Sequence, residues 1–156
     1  MNLNLNNNYE EKIVTKFKGV YSGQLPINEE KDEIKILTNN VLENCIVYNY
    51  EKNEITTIYN VDKINSLDKY DVYLSGAVSL ISIENSENKT GRELVVFRDS
   101  YASSLIPLLV EGYDKITLVD TRYILPKILN QYIEFDNQDI LFLYSTSVIN
   151  NSYSLK

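Results

Sequence analysis

The chain has 156 residues, 44% apolar and 24% charged, with a formal net charge of −7, no histidine and one cysteine. That length and balance describe one globular domain large enough to bury a core. The acidic excess argues against nucleic acid and anionic membrane surfaces as partners, the lone Cys45 excludes an internal disulfide, and a zinc site of the common kind lacks its imidazoles.

Residues 1–11, MNLNLNNNYEE, are polar and read as a frayed start without the apolar segment of a signal peptide. No apolar run approaches the roughly 18 residues of a membrane span. Residues 12–60 read as β-rich: KIVTKFKGVY, DEIKILT, NCIVYNY and EITTIYN are short β-branched and aromatic runs separated by polar turns. Gly19, Gly23 and Pro26 break the first strand from the next segment, and Asp32 is a candidate helix or turn cap. Glu51-Lys52-Asn53 suggests a hairpin turn, and Cys45 reads as a small buried hydrophobe. Thirteen tyrosines accompany many Asn, Lys and Ile residues, which points to AT-rich coding rather than to a sugar-stacking surface.

YDVYLSGAVSLISI, residues 70–83, holds a strand and a glycine turn, and ENSENKTG, 84–91, is a polar loop. Residues 92–145 read as α/β. Strand 93–97, helix 100–112, strand 115–119, helix 123–132 and strand 139–144 alternate as parallel βαβ units do. LVVF, ITLV and ILFLY are nearly continuous apolar runs, as strands covered on both faces should be, and Pro107 falls inside the first helix.

Function in open parallel sheets gathers beyond the carboxyl ends of the strands. Here those ends carry Asp99-Ser100, Asp120-Thr121-Arg122 and Ser145-Thr146, with the Ser75-Gly76 loop as a fourth contributor. Ser100, at a strand-to-helix junction, is a candidate nucleophile, with its own N–H and that of Gly76 as candidate oxyanion donors. The local sequence equally suits Asp99 or Ser100 as a helix cap. Asp120 and Arg122 either orient a substrate or cap the next helix and pair with each other in solvent. Asp99 and Asp120 as a carboxylate pair binding a divalent cation, or as an anion-binding or receiver-like switch, are weaker readings, and no metal or cofactor is expected.

From about Tyr70 onward, KYDVYLSG (69–76), LVVFRDSYASSLIPLL (94–109), YDKITLVDTRYI (113–124) and DILFLYS (139–145) together resemble the DHHW family of bacterial proteins. That family sits in the SGNH-hydrolase-like superfamily beside the alginate O-acetyltransferase-type proteins. Its pattern is a strand, Asp-Ser-Tyr-Ala, a helix, Tyr-Asp, and a strand closing on Asp-x-Arg-Tyr, here Asp120-Thr121-Arg122-Tyr123. The likeness reaches weakly back to Phe17-Lys18-Gly19 and Asp32. The resemblance implies a single SGNH-like (flavodoxin-like) αβα sandwich over 12–156, incomplete and with a β-rich amino-terminal half. It implies Ser100 as nucleophile, Gly76 in the block supplying an oxyanion donor, and acyl-ester chemistry on carbohydrate at the cell envelope. An acylated glycan or an envelope protein is the implied partner; without a signal peptide in this chain, a cytoplasmic home stays open.

Two departures matter. Relatives carry an Asn where this chain has Ala77, and the Asp-His-His segment that supplies the family's base has no counterpart here. The chain therefore looks like the carboxyl-terminal portion of a longer protein, or a natural truncation. The expectation is an acyl esterase or O-acetyltransferase unit inactive alone, with a non-catalytic carbohydrate- or protein-binding module as the alternative.

Overall fold

The computed structural model describes residues 8–17 and 32–155, so Gly19, Gly23 and Pro26 lie outside the described residues. Strands β1 (Glu10–Phe17) and β2 (Asp32–Thr38) form an antiparallel two-stranded ribbon, from Glu10 opposite Thr38 to Phe17 opposite Asp32, with a bulge between Ile13 and Thr15. Two expectations shift here. Asp32 opens a strand rather than capping a helix or turn, and Glu10 and Glu11 belong to β1 rather than to a frayed start. A two-stranded ribbon is marginal alone. This one is held by burial of Ile34 and Ile36 against Val72 and Tyr73. The hydroxyls of Tyr59 and Tyr73 donate to the β2 carbonyls of Leu37 and Lys35, at 2.7 and 2.8 Å.

The body is one six-stranded sheet that draws on both halves of the chain. After a short helix α1 (Asn40–Asn44), capped by the Asn39 side chain on the Leu42 N–H, come β3 (Ile46–Asn49), β4 (Glu54–Thr56), β5 (Leu80–Glu84), β6 (Glu93–Arg98), β7 (Lys115–Val119), β8 (Asp139–Leu143) and a last helix α2 (Thr146–Asn150). The order across the sheet is β4-β3-β5-β7-β6-β8. β3 and β4 form the expected hairpin, its turn built by Asn49, whose side chain accepts the Glu51 and Lys52 N–H groups, and by Asn53 at φ +55°. β6 pairs parallel with both β7 and β8, as the alternation predicted. β5 runs antiparallel to β7 and to β3, so the sheet is mixed.

The two parallel crossovers step in opposite directions: β6 to β7 is one place toward β5, while β7 to β8 passes back over β6 to the edge. A common handedness then puts their connections on opposite faces. The core divides accordingly. Ile106, Val110 and Tyr113 from the first connection pack with Ile81, Leu94, Val96, Ile116 and Leu118. Ile124, Leu129 and Ile133 from the second pack with Leu80, Val95 and Val119. Residue by residue, β6 alternates between these two clusters, as the period of a strand requires.

Both predicted helices are 3-10 turns. Residues Ser100–Ala102 and Ile106–Gly112 replace one helix over 100–112, and Pro126–Gln131 replaces 123–132. Proline explains much of this. Pro107 has no N–H for the Ser103 carbonyl and would collide with it in an α-helix, and Pro126 begins the second segment with its φ already set. The expectation that all three apolar strands are covered on both faces holds for β6 and β7 only. At the sheet's edge, Ile140 and Phe142 of β8 are 45% and 67% exposed, Phe142 stacking on Phe97.

Ile116 is 1% exposed at the centre of the larger core, whereas Ile55 of β4 is 71% exposed. Ile116→Ala is expected to cost about 2–5 kcal/mol in urea denaturation, and Ile55→Ala to stay within about 0.5 kcal/mol.

Candidate functional site

The strand ends named from sequence converge at one end of the sheet. Asp99 follows β6 and is 2% exposed. Its Oδ1 accepts the Tyr101 N–H at 3.0 Å, capping the turn Ser100–Ala102, while its Oδ2 accepts the N–H and hydroxyl of Ser145 at 2.9 and 2.5 Å. One carboxylate thus caps the turn beyond β6 and ties it to the residues beyond β8. Thr121 Oγ1 and the Tyr144 hydroxyl, 3.1 Å apart, link the ends of β7 and β8 in the same way.

Asp120, beyond β7, is fully buried, and its carboxylate receives Nε and Nη2 of Arg122 at 2.9 and 2.6 Å. Its Oδ1 also accepts the Arg122 N–H, closing a tight turn. The pair expected between these residues exists, but its anion is sealed from solvent while the Arg122 side chain keeps 23% of its surface exposed. That hydrogen bond raises the Arg122 proton affinity, and the Arg122 guanidinium lies 5.2 Å from the centre of the exposed Tyr123 ring. The Asp120 N–H donates to the Ser79 carbonyl at 2.9 Å, which attaches the loop before β5 to the end of β7.

Ser100 stands first in its turn and is exposed. Among the described residues no group accepts its N–H. The segment carrying Gly76 is joined to this turn by Tyr70, whose hydroxyl lies 2.9 Å from Ser104 Oγ and accepts the Ser104 N–H at 3.2 Å. The Gly76 N–H itself is occupied, donating to the Tyr73 carbonyl at 3.1 Å. Leu74, Ser75 and Gly76 all have left-handed backbone, at φ 56°, 61° and 94°. The positive φ favours glycine there, and a Cβ on Gly76 would also sit 2.5 Å from Asp71 Oδ1, so the Asp71 side chain would have to move aside. Burial and the nearby Asp68 push the Asp71 carboxyl above its ordinary range.

Sequence reasoning missed Arg98, the last residue of β6. It is 0% exposed, and its Nη1 reaches Ser103 Oγ at 3.2 Å and the Asp99 carbonyl at 3.4 Å. Its Nε and Nη2 have no hydrogen-bond partner among the described residues. Burial lowers its proton affinity, while Asp120 and Asp99 work in the opposite sense. The signal was present: a cation closing an otherwise apolar strand, LVVFR. Tyr70 and Ser103 were passed over because hydroxyls in such segments have many ordinary uses.

The sequence matches no protein-family model and no curated protein. Solved structures share its fold. Bacillus cereus PatB1 with a sulfonyl adduct is 20% identical at a TM-score of 0.65, over 90% of this chain and 48% of that one. A second PatB1 structure is 22% identical at 0.65, over 90% and 50%. A DHHW family protein from Eubacterium siraeum is 16% identical at 0.65, over 99% of this chain and 53% of that one. The fold is therefore that of a DHHW family protein, as the sequence resemblance implied, and the chain spans about half the length of the structures it matches.

The geometry sets the expected cost of three substitutions. Asp120→Ala removes both the partner of Arg122 and the largest opposing charge on buried Arg98, and should cost about 3–5 kcal/mol. Arg122→Ala should cost less in the same denaturation series, because Arg98 still faces the remaining carboxylate. Gly76→Ala should lose about 1–3 kcal/mol from backbone strain alone, and combining it with Asp71→Ala should recover only the steric share of the total loss.

Proposed function

We propose that this chain, which shares its fold with PatB1 and a DHHW family protein, is an SGNH-like acyl esterase or O-acetyltransferase unit with Ser100 as nucleophile, silent as a single polypeptide. The observation that carries the reading is Ser100 itself: exposed, first in the turn after a parallel strand, with its N–H unclaimed among the described residues. On this reading the sheet is an αβα sandwich of the SGNH type, extended by the antiparallel strands β5, β3 and β4, and its substrate is an acylated glycan of the cell envelope.

In the reaction Ser100 Oγ attacks the carbonyl carbon of an acyl ester. The Oγ–carbon bond forms as the carbonyl oxygen takes on negative charge, and collapse expels the alcohol, which leaves with the proton taken from Ser100. A base must carry that proton, and the chain has no imidazole to do so. The neighbouring carboxylates are committed elsewhere. Asp99 is taken up by Tyr101 and Ser145, and Asp120 by Arg122. The reading therefore requires a histidine-bearing segment from outside these 156 residues.

A non-catalytic carbohydrate- or protein-binding module is the second reading. It is favoured by the occupied Gly76 N–H and by Ala77, which offers no side-chain donor to an oxyanion.

Hydrolysis of p-nitrophenyl acetate tests the silence of the chain that both readings share. The chain and its Ser100→Ala variant are expected to show indistinguishable, background rates. Robust turnover that disappears in Ser100→Ala would reveal a base within the chain and overturn the silent reading.

A further inference from the structure

We propose that Arg98 is a positioning residue for the Ser100 site: its buried guanidinium polarises the Asp99–Ser100 peptide and makes the Ser100 N–H a stronger donor to negative charge. The inference rests on Ser100 as the residue where that charge develops, and it identifies a contributor outside the nucleophile, base and oxyanion-donor set.

Arg98 is an expensive residue to hold where it is. A cation removed from water needs a paired anion or a full set of acceptors. Arg98 is 0% exposed and, among the described residues, forms no ion pair and leaves Nε and Nη2 unpartnered. Asp120 is its largest electrostatic partner, yet both oxygens of that carboxylate are held by Arg122. If fastening Ser103 were its only task, a neutral side chain with one donor would serve at smaller cost.

The geometry offers a different task. Nη1 lies 3.4 Å from the carbonyl oxygen of Asp99, and that carbonyl belongs to the same peptide unit as the Ser100 N–H. The peptide is trans, so its C=O and N–H point in opposite directions. A fixed positive charge behind the oxygen draws electron density toward it and leaves the amide hydrogen more positive, in the way that hydrogen bonds in series strengthen one another at low dielectric. The contact with Ser103 Oγ at 3.2 Å fixes the guanidinium in that position. Ser100 is exposed, so the strengthened donor belongs to a residue a substrate can reach.

Amide hydrogen exchange of Ser100, followed by NMR in the full chain and in Arg98→Met, tests this without any need for turnover. Base-catalysed exchange speeds up as an amide becomes more acidic, so loss of a unit charge at this distance should slow Ser100 N–H exchange about threefold or more. Protection at Val96 and Leu118 should be unchanged, which sets the effect apart from general loosening. Equal Ser100 exchange in a folded Arg98→Met protein overturns the proposal. If that variant does not fold, the wild-type guanidinium decides: separately resolved Nη protons with cross-peaks to the Ser103 Hβ protons are expected, and one solvent-averaged signal overturns the clamp. Treatment with phenylmethanesulfonyl fluoride in the presence of free imidazole as an external base, followed by mass spectrometry, reads the nucleophile assignment separately. Absence of an adduct at Ser100 would count against that assignment while leaving the amide result intact.

Discussion

Charge kept out of water organises this protein. Arg98, Asp99 and Asp120 all stand at the carboxyl ends of neighbouring parallel strands and all are at most 2% exposed. The two carboxylates are tolerable only because geometry satisfies them, so they dictate what surrounds them. Asp99 demands donors and draws in the residues beyond β8; Asp120 demands a cation and folds the chain back on Arg122. The turn that displays Ser100 is a by-product of these requirements, since its cap is the carboxylate that anchors Ser145. Fold and candidate site are held by the same bonds here, and a change that loosens one loosens the other.

Much of this was legible in the residues. The three parallel strands were readable because β6, β7 and β8 are apolar runs bounded by polar turns, and the hairpin of β3 and β4 because Glu51-Lys52-Asn53 is turn-forming. Asp99 as a cap, with Ser100 exposed beside it, accorded with the usual habits of those residue types. What sequence could not give was tertiary. The antiparallel direction of β5 depends on which neighbour it meets, and the 3-10 geometry of 106–112 reflects Pro107 together with the packing of Ile106 and Val110. Burial of Asp120 depends on tertiary neighbours such as Ser79, whose carbonyl accepts the Asp120 N–H. Arg98 was the largest omission, because no spacing rule says when a strand-end arginine turns inward.

The edges of the sheet differ in what they present. β4 is a three-residue strand, short enough to offer little to another chain, whereas β8 turns Ile140 and Phe142 outward on one face. Short or charged edges are the usual protection against unwanted pairing. The left-handed run Leu74-Ser75-Gly76 tells a similar story of commitment. Strained backbone of this kind persists only when its surroundings over-determine it. Here the Leu74 N–H on the Ile58 carbonyl, and the Thr56 hydroxyl and Asn60 amide on Ser75 Oγ, do so.

The attachment of the β1–β2 ribbon carries an optical signature. The chain has thirteen tyrosines and no tryptophan, so its near-ultraviolet absorbance is almost wholly phenolic. Tyr59 and Tyr73 hold the ribbon through neutral hydroxyls, and burial raises the proton affinity of both above the ordinary value. A phenol whose folded pKa is raised lends stability that is complete below the unfolded pKa of about 10 and drains away as pH climbs toward the folded value. Alkali is thus the solvent condition that works specifically against this joint. Ionisation of these two docking rings is displaced to higher pH, and their phenolate absorbance in an alkaline titration would report the release of the amino-terminal ribbon without any added label.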